Sequence, residues 1–312
     1  MRTRGIFWFV IAILVIAAGV ALAWHYHNKP DNNAPQAASN SAAQTVAQTT
    51  QQGISHVVII LEENKPSSSV VGSTDAPYIN SLIGKYSFAD NYDAITHPSL
   101  PNYIALTSGT TAGINSDCSP SSCLAKVTNI TDELRQAGRS WKEYAESMPT
   151  PCDSTTSGKY AVKHNPFMYY PDITSDTAYC DSHVVPFTQF NADLASASAL
   201  PNYSFVTPNL CNDMHDCSLK IGDDWLAAEV PKILNSPAFT TQKSLLVITW
   251  DEGSHTDNHI PTIFAGSAAK PGYKSNTHYS HYSLLRTIEN IWGLAPMTKN
   301  DSSAPIMTDM LR

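Results

Sequence analysis

Charge is scarce in this sequence. Only 15% of its 312 residues are Asp, Glu, Lys or Arg, and cations are the scarcer sign: 19 Lys and Arg against 27 Asp and Glu give a formal net charge of −8. A nucleic-acid binder needs a basic face and a protein gripping anionic lipid needs a basic cluster, so the composition argues against both. No repeat of 20–50 residues is present, which argues against solenoids and propellers. The twice-used Leu-Pro-Asn-Tyr, at Leu100–Tyr103 and Leu200–Tyr203, has unrelated flanks. No C-x-x-C spacing supports a thiolate zinc site. The G-x-S-x-G elbow of esterases is missing, as are the Walker loop, G-x-G-x-x-G and H-E-x-x-H. What is present is 42% hydrophobic residues, enough for a sizeable core in one large domain or two medium ones.

The amino terminus sets the compartment. Residues 6–24 are uncharged and almost all apolar, and Arg2 and Arg4 precede them. That pattern reads as an export leader. The run is near the length that spans a bilayer, and Ala21-Leu22-Ala23 offers a cleavage site, so residues 1–27 are expected to be a cleaved signal peptide or a transmembrane anchor tethering the chain to a membrane. Either outcome places the rest outside the cytoplasm. Residues 28–53 are rich in Ala, Ser, Thr, Gln and Asn, bury too little apolar area to order, and read as a disordered linker.

Six cysteines, Cys118, Cys123, Cys152, Cys180, Cys211 and Cys217, all lie beyond the leader. An even count in an exported chain reads as disulfides. Fifteen full pairings are open; pairing of sequence neighbours would join 118 to 123, 152 to 180 and 211 to 217, each closing a short loop.

From residue 54 to 312 the sequence reads as one domain. Ser55–Leu61 is a continuous apolar, β-branched run that stops at Glu62-Glu63-Asn64. Ser244–Trp250 is a second, stopping at Asp251-Glu252, with Ile260–Ala265 and the weaker Tyr203–Thr207 as further strands. Helical stretches lie between them, at Tyr103–Ser108, Asn129–Ala137, Asp223–Leu234 and Tyr282–Trp292. Alternating strands and helices predict an α/β fold, a three-layer αβα sandwich around a mostly parallel sheet, with ligands bound beyond the carboxyl ends of the strands. Residues from about 118 to 187 lack clear periodicity and read as an irregular insertion over one edge of that site.

Three features carry chemistry. Glu63, Asn64, Asp251 and Glu252 are oxygen donors at two strand ends. Crowded acids repel one another, and a divalent cation (Mg²⁺, Ca²⁺, Mn²⁺ or Zn²⁺) removes that cost; the bland alternative is solvated loop acids. Ser99, in His97-Pro98-Ser99-Leu100-Pro101-Asn102-Tyr103, precedes a predicted helix whose amino end would support an attacking hydroxyl, or else it is a plain cap. The segment Asn209–Asp216 places Asp213, His215 and Asp216 after a strand, where they could hold a second metal, orient other ligands or touch substrate. His259 directly precedes a strand and could face the same place.

Taken in order, these blocks resemble the phosphoesterase family of acid phosphatases and phosphocholine-type phospholipases C, within the alkaline phosphatase superfamily. The carriers are Glu62-Glu63-Asn64, His97–Tyr103, Lys163-His164-Asn165-Pro166, Pro208–Asp216, Asp251-Glu252 and His281–Glu289. The resemblance implies an alkaline-phosphatase-like fold, a metal held by Glu63, Asn64, Asp251 and Glu252, and Ser99 as nucleophile. It also implies phosphate-side roles for His97, His164 and His215. His215 is taken as the catalytic partner of Ser99, and His97, Asn102, His164, Asn209, Asp213 and His259 as the substrate-binding set. Phospholipase C members run from the Glu-Asn pair into an aromatic-Asp motif, where this chain has Lys65-Pro66-Ser67-Ser68-Ser69. Phospholipase C members also tend to be larger, with C-terminal β domains, and the two departures together favour a compact acid phosphatase, expected to cleave phosphomonoesters through a phosphoserine. The alternatives are a phospholipase C and, from another class, a cell-surface binding protein without turnover.

Overall fold

The computed structural model describes residues 53–312; the leader and nearly all of the expected linker lie outside the described residues. The transmembrane expectation is corrected here: among the described residues no helix is long and apolar enough to cross a membrane. The run 6–24 that prompted it lies outside them.

The strands are β1 His56–Glu62, β2 Ser87–Ala89, β3 Tyr92–Asp93, β4 Trp141–Ala145, β5 Val184–Pro186, β6 Tyr203–Thr207, β7 Ser244–Trp250, β8 Thr262–Ala265, β9 Tyr273–Ser275 and β10 Tyr279–Ser280. The helices used below are α1 Pro77–Lys85, α2 Ser99–Ser108, α3 Ile130–Gln136, α4 Leu219–Leu234 and α5 His281–Trp292. Eight strands form one sheet in the order β5-β4-β6-β1-β7-β8-β2-β9, and β3 pairs with β10 in a second, two-stranded sheet. In the main sheet only β8 runs against its neighbours. Helices flank the sheet, α1 packing with α4 and α2 with α5, to give the expected α/β sandwich.

Every residue of β1 and β7 is buried, which is why both read as unbroken apolar runs. β1 lies between β6 and β7 and pairs with β7 in full register, Glu62 opposite Trp250. The polar residues that follow the two strands, Glu63-Asn64 and Asp251-Glu252, therefore emerge side by side. The loop after β6 delivers residues 208–216 to the same edge.

The segment 118–187, expected to be an irregular cover, also contributes β4 and β5 to the sheet. Two charged residues hide β4: Lys142 and Glu143 interrupt its apolar pattern, yet Glu143 is buried. All six cysteines are paired, as 118–123, 152–180 and 211–217. These pairings fit an extracytoplasmic chain.

Candidate active site

Three backbone features aim the site. Asn64 turns left-handed (φ 47°) directly after β1, a conformation asparagine tolerates. The turn lets its N–H donate to Asp251 Oδ1 (3.1 Å) and its side-chain amide donate to Glu252 Oε1 (2.7 Å). Ser99 is the first residue of α2, whose ten residues are all buried; Pro101 fits the first turn, where its missing N–H costs nothing. α2 ends at Gly109 (φ 72°), where a Cβ would stand 2.9 Å from the Thr298 hydroxyl, so glycine satisfies both backbone and space.

These elements bring Ser99 onto the carboxylates. Ser99 Oγ donates to Glu63 Oε2 (3.1 Å), and Tyr103, one turn along α2, donates its hydroxyl to Glu63 Oε1 (2.6 Å). His164 lies parallel to the Tyr103 ring, centroids 5.5 Å apart, with Nε2 3.2 Å from Glu63 Oε1 and Nδ1 3.2 Å from Asp213 Oδ2. His97 Nδ1 is 2.8 Å from Glu252 Oε2. The Asn102 side chain accepts from the Ile95 and Thr96 amides and donates to the Thr96 carbonyl, shaping the loop before Ser99 while reaching Glu252 Oε2 at 3.4 Å. The His215 backbone N–H donates to Asp213 Oδ1 (2.8 Å), and its ring pairs with Asp216 (2.7 Å).

Glu63, Asp251 and Asp213 are fully buried, and Ser99, His164 and Glu252 nearly so. Burial, with Asp251 and Asp213 nearby, pushes the Glu63 carboxyl well above the usual range. Burial and the Glu252 charge do the same to Asp251. Glu252 is raised to about 7 by burial and by Asp117, and Asp213 to about 7 chiefly by burial. Burial drives His164 the other way, with Lys163 and His215 adding to the effect, which favours the neutral imidazole.

Four buried atoms here have no hydrogen-bond partner: Asn64 Oδ1, Asp251 Oδ2, Asp213 Oδ2 and His164 Nε2. The His164 nitrogen is close to Glu63 but misaligned for a hydrogen bond. Orphaned acceptors among crowded acids are what a hard divalent cation satisfies. Separately, ligand atoms of Glu63, His164 and His215 lie within 4.8 Å of one another, a group able to hold a divalent metal. The residues present fit such an ion.

Not every expected residue joins this cluster. His259 bonds the Asp90 carbonyl through Nε2 (2.8 Å). Asn209 is absorbed in its own loop, accepting from the Cys211 and Asn212 amides and donating to Ser147. Four participants were not singled out from sequence. Tyr103 orients Glu63. His281 Nε2 donates to the Asp251 carbonyl (2.6 Å), which leaves Nδ1 to accept from Tyr92 (3.1 Å). Burial pushes that imidazole down to about 4, consistent with a neutral ring. Lys163 and Asp117 form a pair at 2.8 Å. Tyr103, Lys163 and His281 all lie inside the sequence blocks that carry the family resemblance, which was the available signal.

Residues 68–295 match the phosphoesterase family. A phosphatidylinositol-3-phosphatase of Mycobacterium tuberculosis is 39% identical over 257 residues, covering 82% of this chain and 82% of that protein. An acid phosphatase of Aspergillus fumigatus is 32% identical over 230 residues, covering 70% of this chain and 51% of its own length, so this chain spans about half of that relative. Among solved structures, a protein of the alkaline phosphatase superfamily from Vibrio parahaemolyticus superposes with a TM-score of 0.57 at 13% identity, over 82% of this chain and 71% of its own. That likeness concerns the fold alone. A family match across most of the folded domain, on an alkaline-phosphatase-like sheet whose strand ends gather metal-ready carboxylates, leads to one conclusion: the chain belongs to the phosphoesterase family and is a hydrolase of phosphoric ester bonds.

Proposed function

We propose that this chain is an exported, metal-dependent acid phosphatase that hydrolyses phosphomonoesters through a phosphoserine on Ser99. The observation that carries the reading is the Ser99 hydroxyl, buried at the start of α2 and bonded to Glu63 among orphaned acceptors. Glu63, Asn64, Asp251 and Glu252 would hold the divalent cation, which supplies a Lewis acid for the hydroxyl and the phosphoryl oxygen.

The protein's own groups divide the remaining work. Tyr103 fixes one oxygen of Glu63, so the other faces Ser99 and offers an acceptor for its proton. Ser99 Oγ attacks phosphorus, and the ester oxygen leaves with a proton from His215, whose ring is part-exposed. Water then attacks the phosphoserine, giving a proton to His215 while Glu63 returns its proton to the Ser99 oxygen; phosphate leaves and the hydroxyl is restored. His164, buried, lies 3.2 Å from both Glu63 and Asp213 and separates the two carboxylates. His97 braces Glu252.

The printed names of the relatives favour monoesters over the phospholipase C alternative: one is a phosphatidylinositol-3-phosphatase and the others are acid phosphatases. The assay panel therefore pairs p-nitrophenyl phosphate and phosphatidylinositol 3-phosphate with a choline-phosphate diester. Acid quenching during turnover, followed by peptide mass spectrometry, should find one phosphoryl group on the peptide containing Ser99. Turnover with an unmodified Ser99 at every quench time, or undiminished turnover by Ser99→Ala, removes the serine from the mechanism.

A further inference from the structure

We propose that Asp117 is a built-in stand-in for the substrate phosphoryl group, occupying a clamp made of Lys163 and the Leu100 amide. The proposal rests on the phosphatase reading and adds the residues that set phosphate affinity.

The Asp117 carboxylate is shared between two donors. Its Oδ1 accepts from the Leu100 N–H (3.0 Å), and its Oδ2 accepts from Lys163 Nζ (2.8 Å). Leu100 directly follows Ser99, so its amide is a helix-start donor with no partner inside the helix, beside the attacking oxygen. Pro98, at the cap position, provides no side-chain cap. The acceptor comes instead from 17 residues further along the chain. Lys163 Nζ is also 3.5 Å from His215 Nε2, and His215 belongs to the metal-capable group with Glu63 and His164. One small anion thus bridges a donor next to the nucleophile and a cation next to that group. A phosphoryl group presents oxygens of the same kind over a similar span.

Charge points the same way. Glu63, Asp213, Asp251 and Glu252 already crowd the site, and the Asp117 charge is near enough to act on both Glu252 and His164. An incoming dianion meets one more negative group, competing for the same lysine. The Asp117 side chain is 26% exposed, so it has solvent to turn into. The backbone beyond it is pinned by the Cys118–Cys123 disulfide and by the Tyr169 hydroxyl on the Cys118 carbonyl (2.6 Å), so release requires only the side chain to rotate.

A different role for Asp117, merely holding Lys163 in place, gives the opposite sign in one experiment. The full-length protein, loaded with divalent cation, is titrated calorimetrically with inorganic phosphate, and KM and kcat are measured for p-nitrophenyl phosphate. Lys163→Gln should weaken phosphate binding about tenfold, with Lys163→Arg recovering most of it. Asp117→Asn keeps an acceptor for the Leu100 amide but loses the charge; it should tighten phosphate about threefold or more and lower KM with kcat little changed. Asp117→Ser is scored the same way, and melting midpoints check that each variant folds. Weaker or unchanged phosphate binding in the folded Asp117 variants overturns the stand-in while wild-type turnover keeps the phosphatase reading intact. A wild-type protein that neither binds phosphate nor cleaves the ester overturns both.

Discussion

Removing divalent cations should make this protein less stable as the pH rises from about 4 to about 7, the reverse of ordinary acid denaturation. Asp213 is fully buried, and burial carries its carboxyl from the usual 3.8 to about 7. A group raised in this way keeps a proton in the folded state that the unfolded chain has already released. Between the two values the folded state binds more protons, so stability is present below the lower value and lost as pH climbs through the upper one. For Asp213 the loss is about 4 kcal/mol. Glu252, raised to about 7 but more open to solvent, contributes a smaller share in the same direction. In a domain of this size the Asp213 contribution alone corresponds to about 8–16 °C in melting temperature. A bound cation should invert the trend, because it binds the ionised carboxylates and displaces their protons. The assay is thermal unfolding from pH 4 to pH 8, in chelator and with Mg²⁺, Ca²⁺, Mn²⁺ or Zn²⁺. A chelated protein whose midpoint holds level or climbs through this window, with no response to any of the four ions, refutes the reasoning.

Three further perturbations probe the supporting parts. Tyr103→Phe removes the hydroxyl on Glu63 Oε1 and should cost about 1–3 kcal/mol in urea unfolding together with a loss of kcat; unchanged values in both assays would show that Tyr103 does not orient Glu63. His281→Ala removes the donor on the Asp251 carbonyl and should weaken cation binding about 10–100-fold by calorimetry, whereas wild-type affinity would separate His281 from the metal site. Replacing Cys152 and Cys180 by Ser opens a loop with a sequence separation of 28 and should cost about 3.5 kcal/mol; equal stability of the variant and the oxidised wild type would deny that bond a role.

The parts of the fold that were legible in the sequence are those in which one physical demand dominates. β1 and β7 are buried on both faces, so burial alone wrote their apolar runs, and their polar ends marked the edge where chemistry collects. α5 was legible because only one of its stripes is strongly apolar. β4 was hidden because Glu143 is buried within it without a partner, and β5 because it is three residues long and ends in Pro186. The start of α2 was placed at Tyr103 instead of Ser99, because Pro98 stands before the first turn and Pro101 within it, and neither marks a helix by its pattern. Adjacency was the harder matter. Glu63 and Asp251 are neighbours only because β1 pairs with β7, and nothing local announces that pairing. Asp117 and Lys163 are separated by 46 residues and meet through loops, so neither residue type nor spacing marked them as a pair. His259 was read from its position before a strand, but its ring serves the Asp90 carbonyl.

The most direct test is diffraction from crystals soaked in Mn²⁺ and inorganic phosphate, with the metal located by its anomalous signal. The account predicts a cation ligated by oxygens of Glu63 and Asp251, with phosphate between that cation and Ser99 Oγ. A fully occupied cation bound away from both carboxylates, with the phosphate remote from Ser99, would contradict it.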